Sequence, residues 1–347
     1  MKTAAALLLA LGLAVAWRTG FGARFDAWLE THRMPRLVVP PGWPAPRYDF
    51  ADNPVTPAGF ALGRALFYDP QLSRDGSIAC ANCHQQFAAF AHYDHRVSHG
   101  IGGVDGKRNA PALFNLAWQP DFMWDGAVHS LELQPLAPLA NPIEMGETLP
   151  GVLAKLRADP AYPPRFAAAF GTPEIDSQRM LRALTQFIGT LQATHARYDT
   201  VMAGEASFTA PEQRGLAVFR AQCASCHREP LFTDFSYRNN GLDREPRDAG
   251  REVISGRAED HGRFRVPSLR NVALTAPYMH DGRFATLDEV LDHYASHIEE
   301  SPTLDPQLRK GITLDAADRA ALLQFLATLN DERLLADRRY AEPGNEP

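Results

Sequence analysis

The chain is short of cysteine and has none to spare. Only four occur, at positions 80, 83, 223 and 226, which argues against a disulfide scaffold. It also lacks a basic excess: Lys plus Arg is 35 against 41 Asp plus Glu, a formal charge of −6. A nucleic-acid binder would usually show a basic face, so that class is set aside. No apolar run beyond the first seventeen residues is long enough to cross a bilayer. Alternation at period 2 is not sustained anywhere, so no large sheet is expected. Tryptophan stops at 124, the five standing at 17, 28, 43, 118 and 124.

What is present begins with an export signal. Lys2 precedes an apolar run from Ala4 to Trp17, and Ala14-Val15-Ala16 has the small-x-small form of a cleavage site. Residues 1–16 are read as a signal peptide, with a retained N-terminal anchor as the alternative, and the body as periplasmic. Residues 17–55 are Pro-rich and read as a strap. Thr56-Pro57 pairs an N-cap with proline at the first helical position. Thr209-Ala210-Pro211-Glu212 is a capping box. Helical periodicity is clear over 176–193 and 315–329. At 347 residues there is room for two or three domains. The units drawn are a first domain, 56–205, a second, 206–335, and a tail, 336–347.

The chain repeats itself. Pro111-Ala112-Leu113-Phe114-Asn115 matches Pro267-Ser268-Leu269-Arg270-Asn271. Thirteen residues after those prolines stand Trp124-Asp125-Gly126 and His280-Asp281-Gly282, and seven later Leu131 and Leu287. Each pair is 156 apart (267 − 111, 280 − 124, 287 − 131). An ungapped constant offset means two copies of one unit. Helical periodicity without sustained alternation makes the expected fold mainly α, and the offset makes it two units related by internal duplication. The two cysteine motifs make each unit a cytochrome c-like domain carrying one covalent c-type haem.

The haem expectation comes from Cys80-Ala81-Asn82-Cys83-His84 and Cys223-Ala224-Ser225-Cys226-His227. CxxCH is the attachment signal: two thiols add to one porphyrin and the adjacent His supplies an axial nitrogen. Zinc would need further soft ligands, and no other Cys exists. A redox CxxC needs neither the His nor a second copy. His84 and His227 are thus the proximal ligands. An open sixth position binds peroxide, whereas a filled one transfers electrons. At offset +14 the two copies differ, with Pro138 after Trp124 and Tyr294 after His280. Proline has no side-chain donor atom and tyrosine has a phenol oxygen. This predicts an open first haem and a closed second one. His293, His297 and Met279 are the other candidates for the second position.

These motifs, with Arg108-Asn109-Ala110-Pro111, Asn141-Pro142-Ile143-Glu144-Met145 and Ala276-Pro277-Tyr278-Met279, resemble the bacterial di-haem cytochrome c peroxidases and related MauG enzymes over about 56–330. The resemblance implies a relay role for Trp124 and distal roles for Gln134 and Glu144. Glu144 would move a proton between the oxygens of hydrogen peroxide while Gln134 orients it. It implies a calcium ion between the domains, on Asn109 and the carbonyls of Thr275 and Pro277. The second-haem ligand is Met in the peroxidases and Tyr in the MauG branch, and here the position holds Tyr294. His99, with His92 and His95 nearby, lies in the loop where many peroxidases carry a histidine that caps the resting haem. The first functional reading is a peroxidase fed by a small donor protein of cytochrome c or cupredoxin type. The alternative is a MauG-like oxidase acting on side chains of a partner protein, for which tyrosine would have to carry charge through the tryptophan-free second half. A non-catalytic electron carrier is the third. Family members are often dimers.

Overall fold

The structure, a computed structural model, describes residues 34–344. The signal peptide, 1–16, and the strap's first part, 17–33, lie outside the described residues. Twelve α-helices follow in order among the described residues. The first half holds α1 (Pro57–Phe67), α2 (Cys80–Cys83), α3 (Leu136–Ala140), α4 (Leu149–Ala158), α5 (Tyr162–Phe170) and α6 (Ser177–Ile188). The rest are α7 (Arg197–Met202), α8 (Ala210–Gln222), α9 (Glu252–Ser255), α10 (Leu287–Ser296), α11 (Ala316–Ala327) and α12 (Glu332–Ala336). No described helix is long and apolar enough to cross a membrane. Two-residue strands β1 (Tyr237–Arg238) and β2 (Phe264–Arg265) pair antiparallel, Tyr237 opposite Arg265. At that length neither strand carries a period that sequence reading could detect.

The caps foreseen in the sequence start the two framing helices. Thr56 Oγ1 accepts from Gly59 N at 3.0 Å to open α1. Thr209 and Glu212 cap each other's backbone N–H to open α8. Each framing helix then packs on a partner, α1 on α6 and α8 on α11. Both approaches depend on a missing side chain. A Cβ on Gly63 would run into the Ala183 carbonyl and crowd Phe187, and one on Gly215 would do the same with Ala321 and Phe325. Around these pairs lie two apolar clusters. One includes Phe60, Leu66, Phe67, Phe90, Phe166 and Phe187. The other includes Phe219, Phe232, Phe325 and Leu329.

Residues 156 apart share backbone geometry. Asn115 and Asn271 both have φ 56°, and their N–H groups donate to Leu191 and Leu329 carbonyls. Met123 and Met279 are left-handed, inside the paired bridges Phe122–Val128 and Tyr278–Phe284. The strap is laced down where it is described. Trp43 packs on Trp118 at 5.1 Å, and Val38 exchanges two hydrogen bonds with the Gln192 side chain. Near the other end, Leu334 and Tyr340 enter the first cluster, where the Tyr340 hydroxyl donates to Thr190 O at 2.6 Å.

Candidate active site

Helix α2 is a single turn that presents Cys80 and Cys83 on one side, both as free thiols. Burial pushes the Cys80 thiol up to about 12 and that of Cys83 to about 11. The chain then turns at His84, whose N–H donates to Cys80 O. His84 Nδ1 lies 3.0 Å from Phe90 O. A carbonyl can only accept, so Nδ1 carries the hydrogen and Nε2 keeps its lone pair. Burial lowers this imidazole to about 4, which holds it neutral. That is the state a metal-binding histidine requires.

His84, Cys80 and Cys83 line a cavity of about 1460 Å³ together with Trp124, Gln134, Pro138 and Glu144. Small-ligand pockets run to roughly 300–1,000 Å³, so this one has room for a porphyrin. Gln134, Pro138 and Glu144, picked from sequence for the distal side, and Trp124, picked as the relay, therefore share one wall system with the first CxxCH. Glu144 is raised above the ordinary carboxylate range by burial, and Asn141 Nδ2, donating to Oε1 at 2.9 Å, opposes that rise. Asn141 cannot swap its amide ends freely, because its Oδ1 accepts from Ile143 N at 3.2 Å. His95 and His99 also border the cavity. His99 is held to Asp105 at 2.6 Å, and His92 stacks on His95 at 4.7 Å.

In the second half the helix before the motif ends at Gln222, and His227 N donates to Cys223 O. His227 Nδ1 is 3.1 Å from both Phe232 O and Pro267 O. Burial lowers this histidine too and pushes the Cys223 thiol up to about 12. Tyr294 projects from α10. Burial raises its phenol, the Asn240 amide opposes this, and the charges of Cys226 and Cys223 act in the raising direction. Asn240 Nδ2 is 3.3 Å from the Tyr294 hydroxyl and 3.4 Å from Met279 Sδ. Of the other candidate ligands, His293 has Nε2 on Asn240 O at 3.0 Å. His297, at the exposed C-cap of α10, turns Nδ1 to Asp292 O.

Between the two motifs the halves clasp each other reciprocally. Asn109 N donates to His280 O and Arg265 N to Trp124 O, each at 2.8 Å. Trp124 Nε1 donates to Asn109 O at 2.8 Å. A second cavity of about 120 Å³ lies here, lined by Asn109, Trp124, Arg265, Thr275, Pro277 and Met279 among others. Among the described residues, none donates a hydrogen bond to the Thr275 or Pro277 carbonyl or to Asn109 Oδ1. Three such neutral oxygens suit calcium, with water completing its six to eight ligands. Among the described residues no group of three or more His, Cys, Asp or Glu is arranged to hold a bare metal ion. Asn141, Asn240 and Arg265 belong to these sites yet escaped the sequence reading. The 156-residue offset pairs Arg265 with Asn109, and that was the signal available for it.

The thiols, the neutral histidines and the cavity fit covalent haem, and comparison with known proteins agrees. The family described as di-haem cytochrome c peroxidase matches residues 57–207. A methylamine utilization protein MauG of Methylorubrum extorquens is 39% identical over 286 residues, covering 81% of this chain and 80% of its own. A cytochrome-c peroxidase of Pseudomonas sp. is 32% identical, covering 95% and 93%. Among solved structures, a MauG-like protein associated with microbial copper homeostasis superposes with a TM-score of 0.82. It is 37% identical, covering 89% of this chain and 99% of its own.

Proposed function

From the premise that this chain belongs to the di-haem cytochrome c peroxidase family and is a peroxidase-type oxidoreductase, we propose that it is a MauG-like enzyme. In this reading hydrogen peroxide is used to oxidise side chains of a partner protein. One haem c is carried on Cys80, Cys83 and His84, and the other on Cys223, Cys226 and His227. They sit in two copies of one cytochrome c-like unit, with a calcium ion at Asn109, Thr275 and Pro277, in the periplasm. When bound, the haems supply iron that takes peroxide and accepts its oxidising equivalents.

This chain's residues do the rest. Pro138 keeps the distal wall of the first site free of a competing donor. Glu144, with Oε1 held by Asn141, has Oε2 to take a proton from one peroxide oxygen and return it to the other. Gln134 supplies an amide to orient the oxygen that stays. Trp124, on the walls of both cavities, is the side chain through which charge passes between the sites.

The observation that carries the oxidase reading is Tyr294, within hydrogen-bond reach of Asn240 and in the field of Cys223 and Cys226. A hard phenol oxygen favours the ferric state and lowers the potential. That disfavours a high-potential electron store and favours keeping oxidising equivalents until a protein donates to them. A second reading, steady peroxide reduction with a small redox protein, draws on the absence of tryptophan after 124, which leaves tyrosine to carry charge to a bound protein.

Steady-state peroxide consumption with a reduced small c-type cytochrome separates the two. We expect slow turnover in the wild type and a several-fold gain in Tyr294→Met. Fast wild-type turnover that Tyr294→Met abolishes would return the enzyme to the peroxidase reading.

A further inference from the structure

We propose that Arg265 is the anion site for a porphyrin carboxylate, that of the group held by Cys80, Cys83 and His84. The inference rests on the haem reading above and goes beyond it.

The reasoning starts from an unmatched charge. Arg265 is 7% exposed, its Nε is buried without a partner, and its side chain makes no hydrogen bond or ion pair with the described residues. Two arginines near the same sites are treated differently. Arg270 is clamped by both oxygens of Asp199 and by the Pro230 carbonyl. Arg108 holds Asp248 with two nitrogens and Asp125 with a third. A buried guanidinium without a counter-charge is strongly unfavourable, and burial lowers Arg265 to about 10. The nearest carboxylate influence, Asp121, is already engaged by the Tyr237 hydroxyl and by His129.

Position then says what the charge is for. Arg265 lines the large cavity that also holds His84, and the small cavity beside Trp124. No Asp or Glu lines the small cavity. The Arg265 backbone N–H is already committed to the Trp124 carbonyl, which holds this residue where the two cavities meet. A planar fork of donors suits a carboxylate bidentately, and a c-type porphyrin brings two carboxylates of its own. At the equivalent position of the first half stands Asn109, which is neutral. The two copies therefore supply one cation at this position, not two.

The test is a redox titration of the purified two-haem protein, with haem first counted by pyridine haemochrome assay. Fewer than two haems per chain overturns the haem reading, and this inference with it. With two present, Arg265→Met should lower the midpoint potential of the high-spin haem, because losing a cation favours the ferric state. Arg265→Lys should recover most of that shift. If Arg265→Met does not accumulate, Arg265→Gln serves the same comparison. Unchanged potentials, or a shift confined to the haem at Cys223 and Cys226, overturn the assignment. So does a wild-type potential that follows the chloride or phosphate concentration, which would make the ligand a diffusible anion.

Discussion

At the scale of single residues, the chemistry turns on how neighbours set the state of a few polar groups. Glu144 shows it most clearly. Burial raises its carboxyl and Asn141 opposes the rise. A base must be ionised to take a proton, so the peroxide step should gain rate with pH through a window above the ordinary carboxylate range. Removing the Asn141 amide takes away the opposing hydrogen bond. Asn141→Ala should therefore move the midpoint of the pH–rate profile further upward. Stopped-flow peroxide binding across pH measures it, and an unmoved midpoint would mean that Asn141 has no hold on Glu144. The hold of Asn141 on Glu144 was not legible in the sequence, where Asn141 stood only as the first residue of the motif that contains Glu144. The CxxCH cysteines and histidines were legible because their spacing is itself the chemistry.

At the scale of elements, the reading from sequence did well wherever a local rule acts alone. Thr56 and Thr209 start helices because their hydroxyls satisfy N–H groups within three residues. The stretches read as helical over 176–193 and 315–329 appear as α6 and α11 with shorter ends. Close approach between helices was not legible, since Gly63 and Gly215 look like ordinary helix-weakening residues. In an open helix a Gly→Ala change gains about 0.5–1 kcal/mol. Here the added methyl meets the carbonyl of Ala183 or Ala321, and overpacking costs roughly 1–3 kcal/mol. Gly63→Ala and Gly215→Ala should each lower the thermal midpoint in calorimetry, whereas a rise would show that the pairs α1–α6 and α8–α11 are looser than described.

At the scale of the whole molecule, the two halves are held where the sites meet. Asn109 reaches to His280 and Arg265 to Trp124, while Arg108 joins Asp125 of its own half to Asp248 across the clasp at 2.6–2.9 Å. The mainly helical architecture could be anticipated from helical periodicity, caps and the lack of alternation. The clasp could not, because its bonds run between residues 100 to 200 positions apart and depend on how the halves face each other. Removing Arg108 leaves two partly buried carboxylates unpaired, at a cost of about 2–3 kcal/mol. Arg108→Ala should lower the unfolding midpoint and slow transfer between the haems, as read by the second site's response to peroxide. Loss of stability with unchanged transfer would confine Arg108 to a structural role.

The central claim is an open first haem and a second one closed by Tyr294. Electron paramagnetic resonance of the resting ferric protein tests it most directly. The account predicts one high-spin and one low-spin signal, with Tyr294→Phe altering only the low-spin one. Two low-spin signals, both indifferent to Tyr294→Phe, would contradict it.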